Sequence, residues 1–306
     1  MSKTVFLFSG QGSQYVGMGR ELCEKYPAAR AVFDKAGEIL GCDIAKTAFE
    51  GPAEELNKTV NSQPAIMACS LAAFEAARAE GIDFDGVAGH SLGEYAALVA
   101  AGVVSMEDGF KLIKARASAM QKAAENSSGA MYAIIGLDAE EVERVCEETE
   151  GYVVPVNYNS AVQTVIAGEA EACEAAALRF AAMKKKAIKL NVASAFHSKL
   201  MAGAAEEFSQ TAGTVSYKAA EKDFFSNVLG TKLTDFNSMA ELLTRHIVSP
   251  VRFTSELALM EQEGYENFIE LGPGKVLTGL VKKTLKGKNA VNIEDTESLN
   301  KALQTL

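Results

Sequence analysis

The chain has 306 residues, 48% of them apolar and 23% charged, enough to bury one sizeable core and a smaller second one. A formal net charge of −10, with no interleaving of basic and aromatic residues, argues against a nucleic-acid surface. The longest nearly apolar run, Tyr95 to Val104, is too short to cross a bilayer, and Val5 to Phe8 lacks the length and charged leader of a signal peptide, so no membrane association and a cytoplasmic address are expected.

In chain order, Thr4 to Phe8 is a short, β-prone apolar run that reads as a buried strand, and Ser9 to Gln14 is a Gly/Ser/Gln loop. Helical periodicity dominates from Met18 to about Ala79, with breaks at Gly41, Gly51-Pro52 and Gln63-Pro64. Gly86 to Gly89 then leads into a long Ala-rich helix. Strands alternating with helices predict a three-layer α/β core. Between about Ser127 and Asn191 the pattern is self-contained. Met131–Ile135, Tyr152–Asn157, Gln163–Ala167 and Ala187–Leu190 read as strands, with helices at Ala139–Glu148 and Glu169–Met183. That order, βαββαβ, is the ferredoxin-like one. Residues 127–193 are therefore expected to form a small ferredoxin-like subdomain inserted into a large domain made of 1–126 and 194–306, with the site in the cleft between them. Five scattered cysteines (Cys23, Cys42, Cys69, Cys146 and Cys173) contain no CxxC pair, which predicts buried apolar side chains and no metal site.

Gly89-His90-Ser91-Leu92-Gly93 fits G-x-S-x-G, and β-like Val87-Ala88 precedes it while helix-forming Glu94 to Leu98 follows. This is the turn of an α/β-hydrolase-like core. A serine forced into it projects its hydroxyl, the helix N-terminus faces it, and the Leu92 N–H points at a developing oxyanion. The alternative is a glycine-lined turn whose serine only caps the helix. A hydroxyl needs a proton acceptor, and the chain has three histidines. His90 adjoins Ser91 and is directed elsewhere; His197, where the chain leaves the small unit, is preferred as base, with His246 in reserve. Ser105 with Asp108 caps the next helix, and Arg116 lies beside its apolar face of Phe110, Ile113, Ala117 and Met120. A guanidinium there needs a carboxylate. Either one of the chain's own acidic residues or a substrate supplies it.

Six motifs in order, Phe8-Ser-Gly-Gln-Gly-Ser-Gln14, Gly89-His-Ser-Leu-Gly-Glu94, Arg116 with Met120, Asn157-Tyr-Asn-Ser160, Ala195-Phe-His-Ser198 and Glu270-Leu-Gly-Pro-Gly274, run essentially the whole chain. Together they resemble the malonyl-CoA:acyl carrier protein transacylases of fatty acid synthesis and the related acyltransferase domains of polyketide synthases. The resemblance implies Ser91 as the acylated residue and His197 as base. It also implies Gln11 and Leu92 as oxyanion-hole donors, Arg116 as the clamp on the malonyl carboxylate, and Met120, Phe196 and Asn159 as further substrate contacts. His246, before Ser249-Pro-Val251, stands where the family has a glutamine whose main-chain oxygen orients the histidine. Malonyl-CoA and an acidic acyl carrier protein are the implied partners, with no cofactor or metal, and the chain is expected to act as a monomer. Lys184 to Lys186 with Lys189, or Lys282, Lys283, Lys286 and Lys288, would receive the carrier protein. An esterase or thioesterase built on the same turn is the rival activity.

Overall fold

The computed structural model describes residues 2–126, 128–192 and 194–305. Within them the strands form two sheets. The larger takes β1 (Lys3–Phe8) and β2 (Gly86–Gly89) from the first part of the chain. The smaller is made of β3 (Gly129–Ile135), β4 (Val153–Ser160), β5 (Gln163–Glu169) and β6 (Lys186–Lys189). The larger is completed by β7 (Asp223–Ser226), β8 (Thr231–Leu233), β9 (Tyr265–Leu271) and β10 (Asn289–Ile293).

The larger sheet runs β10-β9-β1-β2-β7-β8, parallel throughout except for β8, which pairs antiparallel with β7. A parallel strand covered on both faces reads as a continuous apolar run, and Val5 to Phe8 are fully buried. Phe6 stacks on Phe84 at 4.6 Å and meets Phe74 edge-on at 6.1 Å, joining the sheet to the helix Thr59–Ala79. The smaller sheet is antiparallel with order β4-β5-β3-β6, and its own core includes Ile134, Ile166 and Phe180. The protein is thus a mixed α/β molecule with one largely parallel and one antiparallel sheet. Ser127 and Ala193, the expected boundaries of the insertion, lie outside the described residues. No helix among the described residues is long and apolar enough to cross a membrane.

Three sequence expectations need correction. The helix Thr59–Ala79 passes through Gln63-Pro64 without a break. A proline in the second turn removes a single backbone hydrogen bond, and a helix buried on nearly every side offsets that loss by packing. The helix after β2 is short, Gly93–Ala100, because the chain turns at Gly102 with φ 73°. Cys42 is exposed, unlike the other four cysteines: it sits in the turn after Gly41, the left-handed cap of the helix Pro27–Leu40, where Leu40 makes the apolar contact instead.

Candidate active site

Ser91 stands between β2 and the helix Gly93–Ala100 with φ 55°, a left-handed conformation that costs a non-glycine residue about 1–3 kcal/mol. The flanking glycines show why the turn is so tight. A Cβ on Gly89 would lie 2.0 Å from the Gly93 carbonyl carbon, and one on Gly93 would lie 2.1 Å from Phe8 O. Gly10 lets the loop after β1 run against the turn, since a Cβ there would come within 2.8 Å of His90 O. Gln11 is brought to the serine by that approach.

His197, itself at φ 61°, places Nε2 2.7 Å from Ser91 Oγ. Its Nδ1 lies 3.0 Å from His246 O and 3.1 Å from Ser249 O. Carbonyl oxygens only accept, so Nδ1 carries the proton and Nε2 turns its lone pair to the serine hydroxyl. The Ser249 carbonyl is held from the small sheet: β4 bonds to the segment beyond it, with Val251 N donating to Val156 O at 2.8 Å and Tyr158 N to Val251 O at 2.9 Å. Burial, and next the Arg116 charge, push the His197 pKa down to about 3. The imidazole is neutral at ordinary pH.

Arg116 is fully buried on the helix Met106–Glu125, whose first turn is closed by Ser105 Oγ accepting from Asp108 N at 3.0 Å. Its Nη2 donates to Ser91 Oγ at 3.0 Å and its Nη1 to Gln63 Oε1 at 2.8 Å, and the guanidinium lies 5.4 Å from the Tyr95 ring centroid. Among the described residues no carboxylate pairs with it. Its hydrogen-bond partners are neutral, and the Glu94 carboxyl that acts on it through space is held largely protonated by burial, so the guanidinium is poised for an anion.

The side chains of Ser91, His197 and Arg116 thus meet at one point. It opens on a cavity of about 410 Å³ lined from the large-sheet side by Gln11, His90, Met120 and Phe196, and from the small-sheet side by Met131 and Asn157. Neither the Gln11 nor the Leu92 N–H finds an acceptor among the described residues. His246 contributes its carbonyl; its ring is buried, with Nε2 3.9 Å from Glu94 Oε2, so it is not a second base at the serine. Asn159 does not line the cavity: its Oδ1 pairs with His90 Nε2 at 2.8 Å, and Asn157, two residues earlier, lines it instead, the register of β4 shifting between Pro155 and Asn157 and again between Tyr158 and Ser160. Glu270 of the last motif is structural: its carboxylate accepts from Leu277 N at 3.0 Å and Thr278 N at 2.7 Å, capping the helix Val276–Thr284. Gln63, Asn227 and Ser249 were not foreseen. Each acts through a contact more than 50 residues away in sequence, for which no local pattern exists.

The chain belongs to the acyl transferase domain family, whose model matches residues 5–302. Within that family it falls among the malonyl CoA-acyl carrier protein transacylases. It is 43% identical to the protein of that name from Bacillus subtilis strain 168, over all of this chain and 98% of the relative. A crystal structure of the Clostridium perfringens transacylase superposes with a TM-score of 0.95 at 38% identity, covering 99% of this chain and 96% of that one. A malonyl-transacylase solved in complex with its holo type II PKS acyl-carrier protein has the same score at 37% identity, with both chains wholly covered.

Proposed function

We propose that this protein moves a malonyl group from malonyl-CoA to the phosphopantetheine thiol of an acyl carrier protein, through a malonyl ester on Ser91, as a cytoplasmic monomer in fatty acid synthesis. The observation that carries this reading is the buried Arg116, 3.0 Å from Ser91 Oγ and ion-paired with no carboxylate among the described residues. A carboxylated acyl group supplies the missing anion and is held by a planar, bidentate donor.

In the first half-reaction His197 Nε2 takes the Ser91 proton as Oγ attacks the thioester carbon. The oxyanion accepts from the Gln11 and Leu92 N–H groups, one such donor contributing about 3 kcal/mol. Collapse breaks the C–S bond, and the proton on Nε2 leaves with the coenzyme A sulfur. In the second half-reaction the carrier thiol gives its proton to Nε2, its sulfur attacks the ester, and Ser91 Oγ takes the proton back. The His246 and Ser249 carbonyls stabilise the imidazolium between these transfers. Met120 and Phe196 shape the acyl site.

The scaffold reads as an α/β-hydrolase-like domain (1–126 and 194–306) carrying a ferredoxin-like subdomain (127–193), a reading supported by the β4-β5-β3-β6 order. Intact-protein mass spectrometry with malonyl-CoA tests the chemistry. The unmutated protein should gain one malonyl group and Ser91→Ala none; a malonyl adduct on Ser91→Ala would sink the proposal. Steady release of free malonate without an acceptor thiol would favour the hydrolase instead.

A further inference from the structure

Beneath the serine lies a polar layer that none of the steps above uses. Asn227 follows β7 directly and is fully buried, as are Glu94 and Glu256. Asn227 Oδ1 accepts the Ser91 N–H at 2.7 Å, and Nδ2 donates to Gly89 O at 2.7 Å and to Glu256 Oε1 at 2.8 Å. The Asn227 backbone N–H donates to Glu94 Oε2 at 3.0 Å. Both Nδ2 hydrogens have acceptors, so reversing the amide would set Oδ1 against two oxygens. The orientation of Oδ1 toward Ser91 is therefore determined.

The consequence for Ser91 is geometric. The peptide before it is held at both ends, by Gly93 N donating to His90 O at 3.0 Å and by Ser91 N donating to Asn227. The peptide after it is held through Glu94 N donating to Ser91 O at 3.1 Å, which leaves the Leu92 N–H without an acceptor among the described residues. Two fixed peptide planes fix the φ and ψ between them, and so the direction of Oγ. Burial pushes the Glu94 carboxyl up to about 8, and burial followed by the neighbouring Glu94 raises that of Glu256, so the layer is tolerated largely as neutral acids. Glu94 also approaches His246, whose carbonyl holds the base. The same layer touches the supports of both reacting side chains.

We propose that Asn227, locked by Glu256 and Glu94, is a positioning residue that sets the strained backbone of Ser91 and thereby aims Oγ at the acyl carbon and the Leu92 N–H at its oxygen. This rests on Ser91 being the acylated residue. Asn227→Leu keeps the branched heavy-atom skeleton of the side chain and removes its polar contacts. The rate of Ser91 malonylation at saturating malonyl-CoA should fall on the order of 100-fold. KM should change by less than about threefold, since the carboxylate clamp and cavity are untouched. Glu256→Gln, which keeps an acceptor oxygen, should lose less rate than Glu256→Leu, an ordering that a packing role alone does not produce. In the unmutated protein, amide hydrogen exchange followed by NMR should find the Ser91 N–H slow and the Leu92 N–H fast, a measurement that does not depend on any variant folding. The proposal is overturned by a Ser91 amide exchanging as fast as that of Leu92, by a folded Asn227→Leu enzyme malonylating at the unmutated rate, or by a loss confined to KM. Failure of the serine assignment shows separately, as an unmutated enzyme with no malonyl group on Ser91.

Discussion

The His197 side chain illustrates how one residue is tuned by its neighbours. Its two Nδ1 acceptors fix the tautomer, while burial and Arg116 disfavour the protonated form. The sign follows directly: in the proposed mechanism kcat/KM requires neutral His197, so the acid limb should lie well below the ordinary histidine value of about 6.5. Removing the Arg116 charge removes one of the lowering influences. With acetyl-CoA as donor, the acid limb of Arg116→Ala should therefore move to higher pH than that of the unmutated enzyme; an unmoved limb would discard the charge account. In the proposed mechanism a bound malonyl carboxylate would neutralise the same guanidinium, so substrate arrival would make the base stronger at the moment it is needed. Arg116→Ala should also cost malonyl transfer about 3–5 kcal/mol, a factor of roughly 10² to 5 × 10³, while acetyl transfer is spared or improved. Equal losses for both donors in steady-state assays would count against the clamp.

At the scale of elements, the strand-turn-helix unit around Ser91 is built by close approach. Gly93→Ala drives a methyl into Phe8 O and should destabilise the protein by about 3 kcal/mol. Gly279→Ala is the control: it lies inside the helix Val276–Thr284 with open space around it, and should stabilise by about 0.5–1 kcal/mol. Urea unfolding midpoints check the pair, and a Gly93→Ala protein as stable as the unmutated one would refute the packing argument. The same local physics explains what the sequence made readable. The strands of the smaller sheet were placed within a few residues because alternation and turn residues mark them, and Ser91 stood out because its turn demands glycines at fixed positions. The passage of a helix through Pro64 was hidden, since tertiary burial overrides a local breaker. Asn227 and Ser249 were hidden for a related reason: an asparagine after a strand and a serine before a proline have many uses, and only the folded chain sets them beside Ser91 and His197.

For the whole molecule, a net charge of −10 must be locally reversed if an acidic carrier protein is to dock. Of the two lysine clusters, the one on and before β6 runs straight into Leu190 and Val192 of the cavity wall, whereas Lys288 of the other is paired with Glu266 at 2.7 Å. Reversing Lys186 and Lys189 to glutamate should raise the carrier-protein KM several-fold and weaken its salt dependence, with malonylation of Ser91 unchanged; an unaltered KM would dismiss this cluster. The strand order carries a different consequence, for biogenesis. β1 is flanked by β2 and by β9, so its second edge waits for Tyr265–Leu271 to be synthesised. The smaller sheet, complete by Lys189, can close on the ribosome well before the larger one. Until then an apolar strand edge stays open, the kind of surface that chaperones cover. The serine emerges early, but its base, the carbonyls behind that base and the amide beneath it all come from later sequence. With the roles proposed for these groups, a nascent chain carries no activated serine, and acyl chemistry begins only when the fold is finished.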